Sequence, residues 1–110
     1  MSGVYFARVL DRLGIAEQMK PKTVLVPGDQ SAEVVAKGEA EIGVAQTSEI
    51  IPVSGAQLVG PLPGDLNLVT VFSAGLGAGT KAPDAATSYV KFVTGPAAAA
   101  VLKARGMEPR

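Results

Sequence analysis

TVLVPGDQSAEVVAKGEAEIGVAQ, Thr23 to Gln46, decides how the fold is read. Thr23 to Pro27 is β-branched and apolar on both faces, the composition of a strand buried in a parallel sheet. Gly28, Asp29, Gln30 and Ser31 then turn the chain into a helix over Ala32 to Lys37, stopped by Gly38. Glu41 to Gln46 is a second apolar run. Strand, helix and strand in so few residues make a βαβ unit with a right-handed crossover, and the predicted fold class is α/β.

Working outward, Ser2 to Leu13 predicts a helix, with Phe6, Val9, Leu10 and Leu13 at i, i+3, i+4 and i+7. Ser2 is placed to cap it and Gly14 to end it. Ile15 to Lys20 predicts a further short helical piece, stopped by Pro21. A turn of helix is expected from Thr47 to Ile51, ahead of Pro52, and a third short strand over Ala56 to Gly60. Pro61-Leu62-Pro63-Gly64-Asp65 is the strongest breaker in the chain. A long β-rich stretch follows it, from Leu66 to about Ser73. The last third reads as helix: Pro83 stands at N1, Ala86, Tyr89, Val90 and Val93 form a stripe, and a second helix runs from Pro96 to Arg105 before Gly106.

Composition removes whole classes of chemistry. The chain has 110 residues and neither Cys nor His, which excludes thiol nucleophiles, disulfides, Cys/His zinc sites and His-based triads. Ten basic residues balance ten acidic ones, with no basic run to meet nucleic acid or an anionic membrane. No apolar run approaches the ~20 residues of a membrane span. The opening MSGVYFARVLDRLG has no signal-peptide pattern, so the chain as given is expected to stay in the cytoplasm. No cofactor and no bound metal are expected.

The glycine-rich loop Gly75 to Lys81, GLGAGTK, fails both phosphate-binding patterns. Thr80 separates Gly79 from Lys81, and Thr stands where a dinucleotide fingerprint needs Gly. No two carboxylates are spaced to force a raised pKa, and Glu49 alone is kept as a weak acid–base candidate. Two places remain. At Gly28-Asp29-Gln30-Ser31 a strand gives way to a helix whose free N–H groups either hold an anion or meet an ordinary cap from Asp29 or Ser31. At Gln46-Thr47-Ser48 the neighbouring strand ends in hydrogen-bonding groups. These groups either cap the next turn or line a ligand site at the carboxyl edge of the sheet.

The order of these segments resembles the molybdate-binding protein family of ABC transporters, in its C-terminal half and over almost the whole chain. The most specific parts are the small-Gly-x-Tyr helix opening at Ser2 to Tyr5, Gly-x-Ala-x-x-Gly at Gly38 to Gly43, and Lys-x-Pro-x-Ala-Ala from Lys81. The resemblance implies part of a type II periplasmic-binding fold: a βαβ parallel-sheet lobe, a crossing strand and C-terminal helices. In that layout residues 1–60 belong to the second lobe, 61–75 form the hinge and crossing strand, and 76–110 return to the first lobe. The implied ligand contacts are Ser2, Gly28, Asp29, Gln30 and Gln46. Gln46 stands where the family carries a tyrosine, so the expected ligand is molybdate or another small oxyanion.

The function expected on this basis is that of a non-enzymatic solute-binding component, or a fragment of one. Its parent would be periplasmic or extracellular and would deliver solute to a transporter permease. Half a ligand shell implies affinity no better than about millimolar, because an oxyanion needs most of its hydrogen bonds to offset dehydration. The alternative is a truncated module that oligomerises without a small ligand. A homodimer is predicted in either case, one copy's C-terminal helices covering the other's sheet. A small enzyme using Glu49 or Asp29 comes third.

Overall fold

A computed structural model describes residues 2–109. The helices fall where the sequence predicts them: α1 (Ser2–Arg12), α2 (Ala16–Met19), α3 (Ser31–Ala36), α4 (Thr47–Ile50), α5 (Pro83–Val93) and α6 (Pro96–Ala104). Short 3-10 turns occupy Lys20–Lys22 and Gly64–Leu66.

Three helices end in the same way. Gly14, Gly38 and Gly106 each adopt positive φ (69°, 74° and 75°) one residue past the cap. After α3, Gly38 N–H donates to the Val35 carbonyl at 2.9 Å and Glu39 N–H to that of Val34 at 3.0 Å. Gly14 with Ile15, and Gly106 with Met107, repeat that double bond behind α1 and α6. This is the Schellman closure, which satisfies carbonyls left over at a helix end and needs a left-handed residue.

The predicted parallel sheet is a correction. Among the described residues there is no strand: Thr23 to Pro27, Glu41 to Gln46, Ala56 to Gly60 and Leu66 to Ser73 form no ladder. Backbone at Thr23, Gln46 and Asn67 is extended, yet its bonds are local ones and, among the described residues, it joins no ladder. Parallel strands hold only in sheets of several strands covered on both faces. Here the six-residue α3 is the only helix between the two segments, too little to cover a pair of them. Leu25 stays 86% exposed and Ile42 83% exposed, side chains that a buried sheet would have enclosed. A dimer built by covering that sheet loses its premise with it.

The chain divides into two compact units, one through Asn67 and one from Leu68. In the first, α1 packs on α2 and α3 on α4, with Val9, Leu10 and Ala32 buried. Tyr5 donates its hydroxyl proton to the Leu66 carbonyl at 2.9 Å, and Arg12 pairs with Asp65, so two points on α1 hold the 3-10 turn Gly64–Leu66. In the second unit α5 packs on α6 about the buried Ala98. Gly95 joins these helices: a Cβ there would lie 2.8 Å from the Lys91 carbonyl oxygen.

Candidate functional site

The α3–α4 pair carries four of the five candidate ligand residues. Gly28, at φ 63°, turns the extended segment into α3, and Asp29 and Gln30 complete the turn. All three are exposed. Their N–H groups meet no acceptor among the described residues, and Gln30, the residue before α3, makes no side-chain cap. Backbone donors at such a turn can meet the oxygens of an anion.

The segment that leads to Gln46 crosses close to this turn. A Cβ at Gly43 would lie 3.0 Å from the Ser31 carbonyl oxygen and 3.0 Å from Val35 Cγ2. Only a glycine lets the chain approach the first turn of α3 so closely. Gln46 then caps α4. Its N–H donates to Glu49 Oε2 at 3.1 Å, while its side chain accepts from the Glu49 N–H, a reciprocal capping box. Of the two roles open to the Gln46-Thr47-Ser48 cluster, the backbone takes the capping one. A carboxamide that accepts through its oxygen still carries N–H donors of its own, so capping and ligand contact are chemically compatible.

Ser2 is placed elsewhere, at the opening of α1 on the α1–α2 pair, and is half-buried. The structure thus places Gly28, Asp29 and Gln30 ahead of α3 and Gln46 ahead of α4, two helices that touch, and Ser2 at the start of α1. Sequence reasoning overlooked the capping role of Glu49. Its signal was available in the spacing Gln46-x-x-Glu49, which matches N-cap and N3.

Electrostatics around the turn are acidic. Asp29 precedes α3, Glu33 lies in its first turn and Glu49 in the first turn of α4. A hydrogen bond and then Coulomb attraction from Arg12 hold the Asp65 carboxyl below its ordinary value, and the same two effects raise Arg12. No cluster of three or more acidic side chains among the described residues could hold a metal ion. The loop Gly75 to Lys81 is exposed and closes on itself, with Thr80 N–H donating to the Gly77 carbonyl at 3.1 Å. Among the described residues no helix is long and apolar enough to cross a membrane.

Comparison with known families decides the broader class. Residues 1–108 match the family described as bacterial extracellular solute-binding protein. The chain belongs to that family. Among curated proteins it is similar to an aconitate isomerase from Pseudomonas sp, 30% identical over 109 residues. That match takes in 98% of this chain and 42% of the relative, so the chain spans well under half of the relative's length. No solved structure matches. Membership of this extracellular solute-binding family bears out the receptor-type expectation at family level.

Proposed function

We propose that this chain contributes part of the ligand shell of a solute-binding receptor. The solute is a small oxygen-bearing anion, and the full-length parent, outside the cytoplasm, hands it to the permease of an ABC-type transporter. The observation that carries this reading is the family match over residues 1–108. Support for an anion comes from the unoccupied N–H groups of Gly28, Asp29 and Gln30, beside a Gln46 that opens the adjacent helix. Ser2, at the start of α1, would complete the set as a backbone donor. Inorganic oxyanions such as molybdate and small carboxylates present the same kind of oxygen acceptor to such donors.

Isothermal titration at near-millimolar protein, against molybdate, tungstate, sulfate, phosphate and aconitate, tests this reading. Saturable heat with at least one anion, weakened in Gln46→Ala and kept in Glu49→Ala, is the expected result. Both variants break the capping box, so the comparison separates loss of a ligand contact from loss of the cap. Absence of heat with every anion, from folded protein, would contradict ligand binding by this chain. It would favour the module that associates without a small ligand.

A second reading is favoured by the name of the relative: a protein that acts on aconitate as an isomerase. Such chemistry needs a base within reach of the bound anion. Asp29 and Glu49 are the carboxylates nearest the proposed contacts in the chain, and Glu49 is engaged in the capping box. Following aconitate by proton NMR in the presence of the chain decides between the two. The receptor reading predicts unchanged substrate, and turnover abolished by Glu49→Gln or Asp29→Asn would support the isomerase.

A further inference from the structure

We infer that Gly43 is a positioning residue of the proposed anion site. It lets the 41–46 segment lie against the first turn of α3, and so sets how far Gln46 stands from Gly28, Asp29 and Gln30. That spacing selects the size of the anion. The inference rests on the receptor reading above.

The proposed contacts lie on two different pieces of chain. Gly28, Asp29 and Gln30 lead into α3, while Gln46 follows Gly43 by three residues and opens α4. Where the two pieces meet, the fit is tight. A Cβ at Gly43 would stand 3.0 Å from the carbonyl oxygen of Ser31, the residue after Gln30, and 3.0 Å from Val35 Cγ2.

Backbone conformation gives no other reason for a glycine here. Every other glycine of the first unit except Gly3 has positive φ, and Gly43 does not. A Cβ at Gly3 would meet no heavy atom within 4 Å among the described residues. In this unit, close approach alone accounts for a glycine only at Gly43. Gly55 meets the far end of α3, where a Cβ would lie 3.3 Å from Ala36 Cβ, but it also has φ 91°. It makes a control that touches the same helix away from the proposed contacts.

An N–H donor holds an oxygen over a range of about 2.7–3.2 Å. A Cβ at Gly43 would force its neighbours to give by a few tenths of an ångström, a large part of that range. Sulfate and molybdate are tetrahedral dianions of equal charge, and molybdate is the larger. Wider spacing therefore favours molybdate, whereas a loss of stability alone weakens both by the same factor.

Titrations with sulfate and with molybdate test this on the unmodified chain, Gly43→Ala, Val35→Ala and Gly55→Ala. They are followed by 15N–1H NMR at the amides of residues 28–30 and 46, with circular dichroism to show that each variant is folded. Gly43→Ala should weaken sulfate by roughly tenfold and molybdate less, moving the preference toward molybdate by roughly threefold or more. Val35→Ala thins the same contact from the other side and should move the preference toward sulfate. Gly55→Ala should leave the preference unchanged. If the unmodified chain binds and the preference stays fixed in Gly43→Ala and Val35→Ala, or moves equally in Gly55→Ala, the inference is overturned and the receptor reading stands. Should Gly43→Ala fail to fold, Val35→Ala alone decides. No saturable shift with sulfate or molybdate in the unmodified chain would overturn the inference, and silence with aconitate as well would overturn the receptor reading too.

Discussion

Gly43 shows how a single residue can decide the local geometry. Its missing Cβ lets the 41–46 segment lie against the Ser31 carbonyl and Val35, and neither a backbone oxygen nor a helix-borne methyl yields easily. Gly43→Ala should destabilise the first unit by about 1–3 kcal/mol, the usual range for overpacking, as measured by urea denaturation. Asp29 offers the opposite kind of test. Its carboxylate adjoins the amides proposed to meet an anion, and it is exposed. Asp29→Asn should therefore tighten anion binding, by roughly twofold to fivefold at low salt and less at high salt, where screening removes the repulsion. Titration calorimetry at two ionic strengths checks both parts. At this scale the sequence was partly legible. Gly28 could be read as a turn and Gln46 as a helix opener, since both follow from local chemistry. The Arg12–Asp65 pair could not, because it joins residues far apart in the chain.

Elements were legible where their stabilisation is local. Each of the three Gly-ended helices could be placed with the help of its terminal glycine, α1 from an apolar stripe as well, and each closes with the predicted residue at positive φ. Gly106→Ala should cost about 1 kcal/mol by forcing a Cβ into the left-handed region, and should fray the end of α6. Amide hydrogen exchange at Met107, whose N–H donates to the Leu102 carbonyl at 2.9 Å, reads that fraying directly. Strands were misread for the complementary reason. Val24, Leu25 and Ile42 have the side chains of strand residues, but a strand exists only through a neighbour. Composition shows that a segment suits a sheet, not that a second edge lies beside it.

For the molecule as a whole, acid is the condition to which its long-range tether is sensitive. Arg12 and Asp65 tie α1 to the turn ahead of Asn67, and Asp65 is held below its ordinary carboxyl value of 3.8. A carboxyl lowered in the folded state contributes stability that is present above that value and lost as pH falls through the lowered one. Acid unfolding of the parent should therefore show a component below pH 3.8 that is absent in Asp65→Asn. Both partners are well exposed, so the two proteins should differ little at neutral pH. Circular dichroism across an acid titration measures the difference.

Family membership establishes the class of molecule, and the proposed anion contacts carry the account of what this chain does within it. The most direct test is a two-dimensional 15N–1H NMR titration with molybdate and with aconitate, resolved amide by amide. Saturable, co-titrating shifts at Gly28, Asp29, Gln30 and Gln46, with the α5 and α6 amides unmoved, are the predicted result. Shifts scattered over the surface without saturation, or none at those four amides, would contradict it.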